Sequence, residues 1–434
     1  MTPGTIGWLG IALLLVLLVL RVPVAIAMLT VGFAGFWMIT GIEPALGVLQ
    51  IMVYSSLVKH ALTVVPLFIL MGHFAYHGGF AHDVFQTAQK WLGHRTGGVV
   101  HATIAGSAAF GAASGSGIAA CATVSKVTIP QMLELGVDKR LAFGSVAAAG
   151  TLATMIPPSV LMVIYGVITE QSIAELLIAG IIPGIMIALI YMGTVYIWVR
   201  INPKICPPAT RYNWSERLIA LKGITGIGIL ALVVIGGIYT GWFTPTEDGG
   251  VGAFCALLLA LAHRRMTWPQ FVESLFDTAK TTAMVYFIVA SAFVFGSFLA
   301  ITRLPTEISE AIVNADVHRM VVILAIIGFY IVLGCFFDPL PGMILTLPII
   351  FSTVVKLGFD PVWFGILIVY LTELAMITPP FGLHLFVLKG IFQDAELNDI
   401  IAGAVPFILA AVAILFILIT FPGVATWLPS QMLG

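Results

Sequence analysis

Long apolar runs alternate with short polar punctuation along the whole chain, and the runs have the length of membrane spans. A crossing needs about 20 apolar residues, because the hydrocarbon layer of a bilayer is roughly 30 Å thick. Uncharged or nearly uncharged runs cover residues 5–20, 22–42, 61–81, 141–169, 176–199, 223–246, 249–263, 281–302 and 400–428. Residues 361–388 join them, with Glu373 inside the run. Residues 44–58 are apolar but short, which predicts either a tilted span or an interfacial segment. No basic segment precedes the first run, so a retained helix is expected there and not a cleaved signal.

Two stretches have a different texture. Residues 97–133 are apolar but interrupted by Gly111-Ala-Ala-Ser-Gly-Ser-Gly117, and residues 319–355 by Gly334-Cys-Phe-Phe-Asp-Pro-Leu-Pro-Gly342. Each reads as two short helices joined by a small, polar or proline-rich tip. Such a re-entrant hairpin is stable in lipid only where protein or a water-filled cavity covers the tip.

The two hairpins belong to a repeat. Leu135-Gly-Val-Asp138 and Leu357-Gly-Phe-Asp360 are related by an offset of 222 (358 minus 136), which also superposes Pro157-Pro158 on Pro379-Pro380. Five expected crossings separate the hairpins, and an odd number inverts the second copy relative to the first. Inverted repeats whose broken helices meet near the midplane mark secondary transporters. The fold class predicted is therefore an all-α integral membrane protein, with an inverted structural repeat, two re-entrant helical hairpins and broken transmembrane helices. Its expected divisions are N-terminal scaffold helices at 1–60, a first repeat at 61–199, a central scaffold and cytoplasmic connection at 200–280, and a second repeat at 281–428. Basic residues cluster at Arg200, Lys204, Arg211, Arg217 and Lys222 and again at Arg264-Arg265, which puts that side in the cytoplasm.

Composition agrees with lipid as the solvent. Of 434 residues, 60% are hydrophobic and 9% charged, and the mean hydropathy is +1.09. Soluble domains carry about 25% charged residues. A formal net charge of -1 gives no basis for a nucleic-acid partner. Four scattered cysteines and dispersed histidines predict neither a disulfide framework nor a zinc site. No Walker motif is present, so ATP-driven pumping is not supported, and no cofactor is expected.

The double prolines carry the chemistry. Each proline removes a backbone donor and breaks its helix, and the residue before it is driven to extended geometry. The carbonyls freed at Thr154–Ile156 and Met376–Thr378 need partners away from water. A hard cation such as sodium is one such partner, and a kink satisfied by Ser/Thr side chains is the plainer reading. Opposite the first break stand Ser114, Gly115 and Ser116, with Gly150-Thr151 behind it. Asp338 corresponds to Ser116 at the second hairpin tip; it belongs either to an ion or substrate path or to a solvated helix cap. Glu373 could ligate a cation, take a proton, or pair with a base. Lys126 either snorkels or attracts an anion, and snorkelling is favoured.

These blocks, in order, resemble a known family. Ser114-Gly-Ser116, Ile129-Pro-Gln-Met132, Ala147-Ala-Ala-Gly-Thr151, Ile156-Pro-Pro-Ser159 and Tyr165-Gly166 carry the resemblance in the first half. Asp338-Pro339, Leu357-Gly-Phe-Asp-Pro361, Phe364-Gly365, Thr378-Pro-Pro-Phe-Gly382 and Leu385-Phe386 carry it in the second. The chain is similar to the large, DctM-like membrane subunit of tripartite ATP-independent periplasmic (TRAP) transporters. The resemblance implies a non-enzymatic, sodium-driven elevator transporter of the bacterial inner membrane that takes up a small organic anion bearing a carboxylate. It also implies a small four-helix membrane subunit and a periplasmic solute-binding protein as partners. By matching motif, a first sodium site would use Ser114, Gly115, Ser116, Gly150 and Thr151, and a second Gly334, Asp338, Thr378 and Pro379. Substrate contact would fall to Ser116, Pro157, Pro158, Asp338, Pro380 and Gly382. The chain departs from the family at Leu371-Thr-Glu-Leu-Ala375, where Asn-Leu-Glu-x-Gly is frequent, and at Gly117, where serine is common. A self-sufficient sodium-coupled carboxylate symporter is the main alternative. An intramembrane enzyme would need a Ser-His dyad, for which His384 is the sole histidine at suitable depth.

Overall fold

The computed structural model describes residues 2–207, 211–315 and 317–432, and every regular element among them is helical. The apolar runs become helices for the reason that makes them legible: inside lipid each backbone donor must be met within its own segment. Runs 5–20 and 22–42 are the helices Pro3–Val19 and Val24–Thr40, which reverse at Arg21 in the left-handed region (φ 63). The short run 44–58 is the helix Ile42–Leu57, and 61–81 is a 3-10 turn leading into Val64–His77. Six helices are long and apolar enough to cross a membrane, or seven with the bent pair Lys139–Met155 and Val160–Thr169 counted as one, among the described residues. Leu232, Leu409 and Phe416 project outward from such helices, as lipid-facing side chains do.

Three boundaries differ from the sequence expectation. The loop expected at 247–248 lies instead at 240–244, because Thr244 and Glu247 close a capping box that starts the helix Pro245–Ala262. The run 281–302 is the second half of a 35-residue helix, Trp268–Thr302, which continues through Glu273, Asp277 and Lys280. The expected division between 280 and 281 therefore falls inside one rigid element. Two amphipathic helices, Phe80–Leu92 and Leu304–Asn314, were invisible to a search for unbroken apolar runs. Each precedes a hairpin.

The repeat is explicit in the element ends. Gly117–Glu134 and Pro339–Lys356, and likewise Lys139–Met155 and Pro361–Ile377, begin and end at the same offset of 222. The halves interlock at their most tightly packed points. Tyr165 donates a 2.7 Å hydrogen bond to the Pro361 carbonyl, and the Arg140 guanidinium pairs with Asp399 at 2.9 Å. Gly144 and Gly403 sit where a Cβ on either would overlap the opposing backbone, Gly403 with the Arg140 carbonyl and Gly144 with that of Gly403. At the centre lies Pro361–Ile377, buried at every position from Val362 to Ile377. A helix apolar all round belongs inside the protein.

Overpacking a core by a methyl costs about 1–3 kcal/mol. Gly403→Ala is therefore expected to lower the thermal unfolding temperature of the purified protein. Gly390→Ala, where nothing lies within 4 Å of the added methyl, should leave it unchanged. Equal melting of the two variants would show that the Gly144–Gly403 crossing is not a tight contact.

Candidate functional site

The first hairpin folds back onto the first break. Its arms, Gly98–Ser114 and Gly117–Glu134, join through Gly115 in the left-handed region (φ 60). A Cβ on Gly115 would stand 2.9 Å from the Pro158 carbonyl oxygen, so only glycine lets the tip rest there. Ser116 is extended (φ -131, ψ 117) and caps the second arm, its hydroxyl accepting from the Ala119 N–H at 3.4 Å. The Ser114 hydroxyl is buried with no hydrogen-bond partner. Behind the tip, Ile156 is extended (φ -87, ψ 124), the geometry that Pro157 imposes. The Gly150 carbonyl lies 3.3 Å from where a Cβ on Gly117 would be. Ser114, Gly115, Ser116 and Gly150 thus come together. Thr151 adjoins them, its hydroxyl donating to the Ala148 carbonyl at 2.7 Å with the Tyr191 side chain beside it.

The second hairpin repeats the plan with different side chains. Its arms are Arg319–Gly334 and Pro339–Lys356. Gly334 packs so closely on Ala375 that a Cβ would overlap that methyl, and Phe336 leans on Phe381 with ring centroids 5.4 Å apart. Thr378 is extended (φ -91, ψ 125), as the residue before Pro379 must be; its hydroxyl donates to the Leu374 carbonyl at 2.7 Å. Asp338 holds the N-cap position of the second arm but accepts no capping hydrogen bond. A cap normally accepts from the second or third helical N–H, and the third residue here, Pro341, has none. The capping reading of Asp338 is thereby removed.

Both tips open into one cavity of about 510 Å³. Ser114 to Ala119 of the first hairpin and Asp338 to Pro341 of the second line it, together with Thr154, Glu373 and Met376. Pro157, Pro158, Pro379, Pro380, Gly382, Gly150, Thr151, Gly334 and Thr378 do not line it. Lys126 faces outward, in keeping with snorkelling, and no lysine or arginine lines the cavity among the described residues.

The opposite wall was missed in the sequence. It is formed by Val64–His77 and Trp268–Thr302, through His73, His77, Glu273, Asp277 and Thr281. His77 approaches Glu273 to 4.0 Å. Spacing offered a signal: His73/His77 and Glu273/Asp277 are each four apart, on one face of a helix. No three potential metal-ligating side chains cluster among the described residues. His384, after the second break, is buried, with Nδ1 bonded to the Ala147 carbonyl at 3.0 Å.

Known proteins share both sequence and architecture with this chain. The large permease protein DctM of a C4-dicarboxylate TRAP transporter from Pseudomonas aeruginosa is 33% identical, over 88% of this chain and 90% of its own. An ectoine/5-hydroxyectoine TRAP large permease from Ruegeria pomeroyi is 31% identical over 96% of both chains. A sialic acid TRAP large permease from Vibrio cholerae is 30% identical over 100% of this chain and 99% of its own. In architecture the chain is similar to the YdaH transporter of Alcanivorax borkumensis, with a TM-score of 0.59, covering 88% of this chain and 89% of that one at 13% identity. The model of the tripartite ATP-independent periplasmic transporter DctM component matches residues 11–424, and the chain belongs to that family of multi-pass membrane permeases.

Proposed function

We propose that the chain takes up a small carboxylate-bearing organic solute across the bacterial inner membrane, driven by a sodium gradient and working as an elevator. In this reading a periplasmic solute-binding protein delivers the solute and a small four-helix membrane subunit completes the permease. The observation that carries the proposal is the division of the cavity. One wall is unbroken helix, Val64–His77 and Trp268–Thr302; the other is made of hairpin tips and the ends of broken helices. A solute seated between them touches a frame on one side and a pre-formed pair of tips on the other, the arrangement needed for one part to slide along the other. His77 and Glu273 line the end nearest Arg265, which bonds the Gly78 carbonyl at 3.3 Å. By the positive-inside rule that end opens to the cytoplasm.

Electrostatics support cation coupling. The described lining residues include the carboxylates of Glu273, Asp277, Asp338 and Glu373, with His73 and His77 but no lysine or arginine. Low-dielectric walls focus such charge, so a bare anion is repelled and cations are concentrated. Sodium ions held behind the tips by carbonyls and hydroxyls would reverse that field locally. The N-termini of the helices starting at Gly117, Pro339 and Val160 also border the cavity and favour a carboxylate. Relatives named for C4-dicarboxylates and sialic acid fit this substrate class. A further relative, an isethionate TRAP permease named DctMQ from Oleidesulfovibrio alaskensis, is longer, and this chain covers 64% of it.

Thr151→Val and Thr378→Val keep shape and remove an oxygen. Each is expected to raise the sodium concentration for half-maximal uptake, by the equivalent of about 1–3 kcal/mol for an unmet partner. Uptake in proteoliposomes with the cognate binding protein measures this. Equal uptake with choline replacing sodium would identify the breaks as structural kinks. For the elevator, spin labels at Leu232 and Phe254, both lipid-facing, should hold their separation between inward and outward states. The distance from Leu232 to a label at Lys126 should change by several ångströms. Constancy of both distances would rule the sliding motion out.

A further inference from the structure

We infer that Glu373, from the second repeat, is the charged ligand of the cation site at the first break. The inference rests on the sodium-coupled reading and adds to it a residue and an order of events. Glu373 is 1% exposed, in a helix buried on all sides. No ion pair reaches it among the described residues, and its Oε2 has no hydrogen-bond partner. An ionised carboxylate in such a place must be neutralised by something. The structure removes one of the three readings left open by the sequence, since no base stands against it.

Its direction supplies the rest. Although Thr378 lies only five residues along the same helix, the Glu373 carboxylate points to the other repeat. The position a Cβ would take on Gly117 is 2.8 Å from Oε2, 3.3 Å from Oε1 and 3.3 Å from the Gly150 carbonyl oxygen. Carboxylate and carbonyl therefore converge across the exit of the first hairpin tip, where any side chain would displace them. Thr154 lines the cavity beside them. His384 forms no ion pair with Glu373 among the described residues: its Nδ1 donates to the Ala147 carbonyl and its Nε2 has no partner. Its ring packs on Gly150, with Cε1 3.0 Å from a Cβ there.

One carboxylate, a backbone carbonyl and neighbouring hydroxyls make a shell of one negative charge, which a monovalent hard cation brings to neutrality. By the offset of 222, Glu373 corresponds to Thr151 (373 minus 222), so the repeats place an oxygen at the same position and only the second charges it. A cation bound by Glu373 also pins the helix on which Gly334 of the second hairpin rests, two residues on at Ala375. The first site should therefore fill before the second.

The test is sodium binding and sodium-dependent melting of the full chain in nanodiscs, with choline as the sodium-free reference. Glu373→Gln keeps volume and removes charge. It is expected to weaken the tighter sodium site by about tenfold or more, the loss of a charge-assisted partner. It should also melt no lower than wild type in choline, since a buried charge is gone, while gaining less from sodium. Gly117→Ala retains the charge but puts a methyl against the carboxylate, and should weaken sodium in the same direction. Wild-type sodium affinity in both variants would overturn the inference. A wild-type protein that neither binds sodium nor is stabilised by it would instead overturn the sodium-coupled reading itself.

Discussion

Two pairs of prolines in a solvent without hydrogen bonds govern this structure. Each pair takes backbone donors out of a buried helix, and the carbonyls left behind cannot be satisfied by lipid. Something polar must therefore be brought to membrane depth, and the hairpin tips are what the chain brings. Glycine follows from the same demand. Gly115 must rest on the Pro158 carbonyl and Gly334 on Ala375, contacts that no side chain would allow. The breaks, the tips and the small residues between them form one solution to one deficit.

That solution divides the molecule mechanically. Helices without breaks keep their backbone hydrogen bonds within themselves and expose large apolar side chains, as Trp214–Tyr239 does with Leu232 and Pro245–Ala262 with Phe254. The broken helices and tips are held to each other by close contact, at Gly115 on Pro158 and Gly334 on Ala375, as the proposed joint movement requires. The cavity lies at the seam between the two kinds of element. A polar solute can only be carried through lipid where water or protein covers it on all sides, and the seam is where both walls are available.

What could be read from the sequence was whatever depends on local constraint. Proline and glycine act through their own backbone, so breaks, tips and the offset of 222 were visible as letters, and the helices formed where expected. The missed elements obey other rules. Phe80–Leu92, Leu304–Asn314 and the first half of Trp268–Thr302 contain Asp83, Glu307, Glu273 and Asp277, which end an apolar run without ending a helix. The Glu273 and Asp277 part of the second cavity wall went with them. Ser114, Gly115, Ser116, Gly150 and Thr151 could be singled out because they stand at a tip or adjoin a break. The neighbour of Glu373 could not, because Gly117 is 256 positions away (373 minus 117) and only packing brings them together.

The repeat is symmetric in backbone and asymmetric in charge. Ser116 corresponds to Asp338 and Thr151 to Glu373, so at both matched positions the first repeat supplies a hydroxyl and the second a carboxylate. Two identical cation sites facing each other would fill independently and give no direction to the cycle. With both charges on one repeat, and one of them reaching across to the other repeat, the two proposed sites would be unequal. Both of these carboxylates stand on the hairpin-and-break side of the cavity, and the unbroken wall helix Trp268–Thr302 adds Glu273 and Asp277 from the other. In the proposed reading, a unit loaded with cations would be closer to neutral than an empty one. Crossing a low-dielectric layer is costly for a charge, so occupancy of the proposed sites would govern movement.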